Sequence, residues 1–571
     1  MRIGLHKVQG GTRRVDNYQG RRNLQWYAAM DDNAQVFSVS DQIFDHRQTM
    51  GSSIWEYLWL RAHVTTEREC NGKAVGIVDD GRPVPTSRIA AESTPFPRPA
   101  FPEPLTGSKP CSTQAISKCG TNGSIYGRPN RGKIPRRTGG YMKHHPGLAR
   151  FVTAVAITTA TLLLVGSAVT SPTLTTLYSF TGGTDGNLPL AGLVSDASGA
   201  LYGTTSQGGT SGFGVAFKLT PPAKPGDPWK EKVLHSFTTG TGDGFAPEGP
   251  LTFGKAGNLY GTTAGGGTNG WGAVFELTPP TTQGGQWTET VIHNFSISVS
   301  DGTGPLDGLI FDRAGNLYGT TLGGGAFGQG TVFKLEAPAV AGGAWTESVL
   351  YSFKFSTDGG NPIGGVVFDK SGALYGTTNM AGDIVHCGDL AGCGVVFKLA
   401  PSSSGEWTQT VLHTFEGPDG NGPVAGLIID SAGSLYGTAQ FGGASDSGVV
   451  FQLTPPISGN QWTYTTLHSF AGGKDGGMPG ADLLLNKAGA LYGTTTNGGQ
   501  FNFGTVFKLV PPSMAGGQWT KRVLHSFALT DGSTPRGVLK FGAAGILYGT
   551  TSVGGQHGSR LSGGTLFSLT Q

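Results

Sequence analysis

Seven aspartates stand at one place in seven copies of a single phrase. Asp185, Asp243, Asp301, Asp358, Asp419, Asp475 and Asp531 are each followed by Gly and, four residues on, by Pro. A ring of seven carboxylates could attract a cation. The same residues also spell a turn, in which Asp accepts backbone N–H bonds, Gly supplies positive φ and Pro opens a strand. Sameness in every copy favours a structural turn ring, because a ligand seldom needs sevenfold identity. None of these loops has the spacing of a calcium loop.

His235, His293, His413, His468 and His525 recur in segments of the form Trp-Thr-x-x-Val-Leu-His-Ser-Phe, with Tyr178 and Tyr351 at the equivalent places. A shared metal needs its ligands within ~2.0–2.1 Å of one ion. Histidines on separate copies stand too far apart for that, so packing roles are expected, and neither a metal nor a cofactor is called for. Trp229, Trp287, Trp345, Trp407, Trp462 and Trp519 open these segments and read as packing residues. A lone pair, Cys387 and Cys393, lies in "HCGDLAGCG" and reads as a disulfide, since no second metal-spaced pair accompanies it.

The positions that vary on this constant frame are the more informative ones. Glycine-rich stretches carry Phe213, Trp271, Phe327, Phe441, Phe501 and Phe503; the fourth copy holds Asp383, His386 and Asp389 instead, and the seventh holds His557 and Arg560. Aromatics among glycines can stack on sugar rings or clamp a peptide. There is no nucleophile elbow, zinc-protease helix or phosphate loop, so catalysis has no motif to rest on.

The elements that must position these residues follow from the repeat. Leu-Tyr-Gly-Thr begins at residues 201, 259, 317, 374, 435, 491 and 547. In the third copy, 305–312, 316–321, 330–337 and 344–353 read as four strands separated by turn-formers. Alternation in the last of these aims Trp345, Val349, Tyr351 and Phe353 one way and Thr346, Ser348 and Ser352 the other. Glycine within Leu-Tyr-Gly-Thr is expected to let neighbouring backbones approach. Four strands per copy in seven copies predict an all-β, seven-bladed β-propeller over residues 172–571. The chain ends on a third strand, and its missing fourth matches "PTLTTLYSF" at 172–180. The N-terminal strand is therefore expected to complete the last blade and close the ring.

Upstream lie two other regions. Residues 1–141 lack sustained periodicity and read as a disordered extension or as mistranslated upstream sequence. Residues 142–168 carry a basic start, an apolar run from Phe151 to Val165 and small residues at 166–168, the pattern of a signal peptide or anchor. Export to the envelope or outside the cell follows, with membrane contact only through an uncleaved 151–169 segment. Residues 1–150 hold 22 of the 40 Lys and Arg but 12 of the 37 Asp and Glu, leaving the rest of the chain net acidic. A surface of that sign argues against nucleic acid.

"PLDGLIFDRAGNLYGTT" and "GTVFKLVPP" resemble the GloVer tandem repeat of bacterial exported proteins and, more distantly, NHL-type propeller repeats. The resemblance covers about 172–571. It implies a secreted or surface location, with members carrying differing C-terminal anchors; this sequence shows no sorting motif or hydrophobic tail after the last strand. It brings no catalytic residues. The expectation is a monomeric, non-enzymatic binding or structural module that recognises a glycan or an envelope protein through Phe213, Trp271, Phe327, Phe441, Phe503, His557 and Arg560. The alternative is a polysaccharide lyase or hydrolase using Asp383 or Asp389 with His557 or Arg560.

Overall fold

The computed structural model describes residues 171–571 apart from 240–241, 283, 341, 386, 388–390 and 515. Before residue 171 it describes only the backbone of four short antiparallel strands, Gln25–Ala28, Gln35–Ser38, Gly76–Asp79 and Arg82–Pro83. The extension at 1–141 otherwise, the export segment at 142–168, His386 and Asp389 lie outside the described residues. Among the described residues no helix is long and apolar enough to cross a membrane.

Seven four-stranded antiparallel sheets follow one another; in six of them the strands stand in chain order, and in the seventh Thr173–Ser179 takes the fourth place. Blade 3 shows the plan: Ile310–Phe311, Leu317–Thr321, Thr331–Glu336 and Thr346–Ser352. The first two strands are joined by a turn at Asp312. Its carboxylate accepts the N–H groups of Gly315 and Asn316 and the Tyr318 hydroxyl, the last at 3.1 Å. Gly315 adopts φ +98° with open space beside it, so backbone conformation alone selects glycine there.

Each residue of Leu-Tyr-Gly-Thr has a separate task. Leu317 is fully buried, and Tyr318 sets its ring edge-on against Phe368 and tilted against Trp407 of the next blade, at 5.0 and 6.5 Å. A side chain on Gly319 would meet the Phe333 ring at 2.7 Å and Leu309 at 2.9 Å. This corrects the expectation for that glycine: an aromatic ring of its own blade, not a neighbouring backbone, fills the space. Thr320 donates its hydroxyl to the Gly364 carbonyl of the following blade at 3.1 Å. The other six threonines do the same around the ring, ending with Thr550 on Ala191 at 2.9 Å.

The core is divided among the seams. A typical cluster joins Tyr260, Val274 and Phe295 of blade 2 to Leu309, Leu317, Phe333 and Leu335 of blade 3. Phe295 and Phe333 meet edge-to-face at 5.1 Å, and the same pair recurs in every blade. Each such buried phenylalanine contributes roughly 1.5–3 kcal/mol, and because its ring packs across a seam that contribution depends on the neighbouring wedge.

Thr173–Ser179 pairs antiparallel with Thr565–Thr570, Leu174 opposite Leu569, and completes the seventh sheet. The ring is closed by its N-terminal strand. Between third and fourth strands every blade carries a bulge. In blade 3 Val332 faces Tyr351 while Phe333 faces Val349, leaving Leu350 as the extra residue. Val349 and Tyr351 therefore point to opposite faces, correcting the simple alternation.

Candidate functional site on one face of the ring

The Asp-Gly turns and the loops between second and third strands share one face, because both follow strands running the same way. The turn carboxylates are all engaged. His235 Nε2 lies 3.1 Å from Asp243, His293 3.3 Å from Asp301 and His413 2.8 Å from Asp419. His468 and His525 lie 3.0 Å from Asp475 and Asp531. Tyr178 and Tyr351 donate their hydroxyls to Asp185 and Asp358 at 3.0 and 2.9 Å. Each aspartate also accepts a backbone N–H just beyond the preceding strand. Burial would raise the Asp301 carboxyl, but bonds from His293, Ser296 and Gly302 outweigh it and hold the group below the ordinary carboxylate range. These pairs clamp the end of one blade to the start of the next.

The candidate loop residues divide into two sets. Phe213 meets Phe245 at 5.8 Å and packs on the core between blades 1 and 2. Phe503 packs on the core between blades 6 and 7, and the Arg560 guanidinium covers its ring at 5.1 Å. Phe441 is half-buried, with its backbone paired to Asn421. Trp271, Phe327 and Phe501 stand in solvent at 43%, 52% and 50% exposure, and His557 is exposed on the same face. Cys387 and Cys393 are joined as a disulfide, with Cα atoms 5.7 Å apart. Asp383 accepts the Val385 N–H at 2.7 Å within that blade 4 loop, whereas His557 and Arg560 belong to blade 7.

Exposed apolar side chains are concentrated here. Of the twelve large ones among the described residues, eight lie on this face: Trp271, Phe327, Ile384, Val385, Phe501 and Leu561 on the loops between second and third strands, and Ile297 and Val299 beside a turn. The opposite face and the blade edges share the other four. Singly exposed apolar side chains need no explanation, whereas this uneven distribution makes the face the candidate contact surface.

Beneath this face the central channel narrows to a cavity of about 100 Å³. It is lined by the residues that follow each Asp-Gly-x-x-Pro, mostly small or aliphatic, such as Leu190, Ile363 and Val424. Four charged residues interrupt them: Glu248, Asp307, Asp482 and Arg536. Asp307 accepts the N–H groups of Gly308 at 2.6 Å and Gly365 at 2.5 Å, and Asp482 accepts that of Gly426 at 2.7 Å. Burial pushes the Asp482 carboxyl up to about 7, helped by the charge of Asp307 and opposed by the Gly426 bond. Burial likewise pushes Glu248 up to about 7, against the pull of Arg536. The loops do not point to these residues. Their signal is a break in the repeat: Glu, Asp, Asp and Arg at positions that other copies fill with Leu, Ile, Val, Ala, Gly or Pro. A small acidic cavity of this kind suits an ammonium or guanidinium group, and at about 100 Å³ it is smaller than the pockets of roughly 300–1,000 Å³ that enclose whole drug-sized ligands, so a larger ligand meets it only at its mouth.

No curated protein matches the sequence. Solved structures that resemble the chain share little sequence with it. An oxidoreductase (glucose dehydrogenase) assignment from Thermus thermophilus is 19% identical, covering 57% of this chain and 96% of its own at TM-score 0.34. The extracellular domain of a one-component system from B. thetaiotaomicron is 15% identical, covering 69% of this chain and 42% of its own at TM-score 0.40. A 6-phosphogluconolactonase assignment from Bacteroides uniformis is 15% identical, covering 61% and 88% at TM-score 0.39. At such values none of the three informs the activity of this chain. The model of the Gloeobacter/Verrucomicrobia repeat matches residues 224–390 and 384–571. With its repeats spanning most of the propeller, the chain belongs to the Gloeobacter/Verrucomicrobia repeat family.

Proposed function

We propose that this propeller is an exported, non-enzymatic binding module. It engages an envelope protein or glycan through the apolar rim formed by Trp271, Phe327 and Phe501, and it seats a cationic group of that partner in the acidic channel mouth. The observation that carries this reading is the placement of eight of twelve exposed large apolar side chains on the face above the channel. The Cys387–Cys393 disulfide and the signal-like segment at 142–168 support export, because such bonds persist in oxidising compartments. Glycan and peptide arrays probed with the full chain test it. Replacing Trp271, Phe327 and Phe501 by Ala together abolishes binding without lowering the melting temperature, since all three are exposed; retained binding refutes the reading.

One observation favours a second reading, in which the channel is catalytic. Asp307 and Asp482 form an acid pair in which one member holds a proton near neutral pH, as general acid–base chemistry requires. A polysaccharide lyase or hydrolase assay with Asp482→Asn separates the two: turnover that the substitution removes supports the enzyme, and its absence supports the binder.

A further inference from the structure

Six of the seven seams present a side chain of the following blade, two residues into its fourth segment, to the Asp-Gly turn. In three seams that side chain brings a donor. Gln409 donates to the Asp358 carbonyl at 3.2 Å, Tyr464 donates its hydroxyl to the Asp419 carbonyl, and Lys521 sets its ammonium 2.7 Å from Asp475 Oδ1. In the other three the side chain is Glu231, Glu289 or Glu347, and each leaves its Oε1 buried without a hydrogen-bond partner. A carboxylate thus faces a carboxylate where Lys521 shows that the same recess accepts a positive charge.

Among the described residues one seam brings three ligand atoms together. His235, Asp243 and Glu289 each offer an atom within 4.8 Å of the other two. His235 Nε2 and Asp243 Oδ2 are 3.1 Å apart, close to the roughly 3.4 Å edge of a tetrahedron with ~2.0–2.1 Å bonds. The backbone N–H groups of Thr238 and Gly244 already hold Asp243 in place, at 2.9 and 2.8 Å, as metal-bound carboxylates require. The neighbouring seam repeats the residue types as His293, Asp301 and Glu347 without bringing their atoms inside that limit.

We propose that the seam between blades 1 and 2 is a zinc site, with His235 Nε2, Asp243 and Glu289 as ligands and water in the fourth position. One imidazole with two carboxylates is a borderline donor set, which suits Zn²⁺ better than the oxygen-only preference of Ca²⁺. The ion supplies the partner that Glu289 Oε1 lacks and ties the two blades together, so it acts as a structural staple. Each of the five histidines lies beside its own aspartate at a separate seam, and here one of them joins acids leading into and within the adjoining blade.

The test uses the full, tag-free chain, stripped with a chelator and dialysed, then titrated calorimetrically with ZnCl₂ and separately with CaCl₂ at pH 7. A saturable Zn²⁺ event of one ion per chain is expected, weakened at least tenfold by Glu289→Gln and by His235→Gln but unchanged by Glu347→Gln. Glu289→Gln keeps the shape of the side chain, and its circular dichroism confirms folding. No saturable Zn²⁺ binding, equal binding by Glu289→Gln, or a preference for Ca²⁺ overturns the proposal; a zinc-independent seam in which Glu289 simply holds a proton appears as the first of these.

Discussion

Replacing Glu347 by Gln should make the protein more stable, and only at high pH. Glu347 packs beside Asp301 and His293 with its Oε1 unpartnered, and burial, helped by the Asp301 charge and opposed by His293, pushes its carboxyl up to about 7. A folded-state pKa above the unfolded one means that the protonated form favours the fold. That favour is complete below about pH 4.5 and is lost as pH rises through about 7. At ~1.36 kcal/mol per unit the ceiling is roughly 3 kcal/mol, and solvent screening of a half-buried group lowers it to about 1–2. For roughly 400 folded residues, with an unfolding entropy of ~2.1 cal/mol/K each, this corresponds to about 1–3 °C. Thermal unfolding in chelator between pH 5 and pH 8 reads it directly. Wild type and Glu347→Gln should melt together at pH 5, with the variant higher at pH 8. Parallel curves, or a variant that melts lower at pH 8, would refute the reasoning.

Other outcomes follow from the same structure. Gly319→Ala places a methyl 2.7 Å from the Phe333 ring and should cost about 1–3 kcal/mol, measured by denaturant unfolding; a neutral effect would mean that the ring can withdraw. Leu174→Asp puts a charge where Leu174 packs on the core with Phe567 and Leu569, and it should open the ring. Hydrogen exchange would then rise first at Thr565–Thr570, whereas uniform protection across that strand would contradict closure by the N-terminal strand. Asp482→Asn removes one member of the channel acid pair. It should weaken the binding of any cationic ligand at pH 8 more than at pH 5, where burial already keeps the carboxyl protonated.

The fold was legible because its information is periodic. Seven copies of Leu-Tyr-Gly-Thr and an orphan strand at the opposite end of the chain specify the blade count and the closure without any contact being known. The bulge at Leu350 was not legible, since one extra residue leaves the apolar pattern intact while reversing the face of Val349 relative to Tyr351. Gly319 announced a tight place but not that Phe333 would occupy it. Attention to what varied in the loops found Trp271 and Phe327, yet it could not separate them from Phe213 and Phe503, which pack inward. Glu248, Asp307, Asp482 and Arg536 sit where the repeat otherwise varies among small and aliphatic residues. Only the closed circle shows that four scattered departures meet in one channel. The same holds for His235, Asp243 and Glu289, whose meeting depends on two blades docking.

The most direct measurement of the functional account is binding by the intact chain on glycan and envelope-protein arrays, compared with the Trp271→Ala, Phe327→Ala, Phe501→Ala variant. A ligand retained by the native face and lost from an equally stable variant is what the account predicts. Binding that survives the triple substitution, or an array on which the native protein finds nothing, would contradict it.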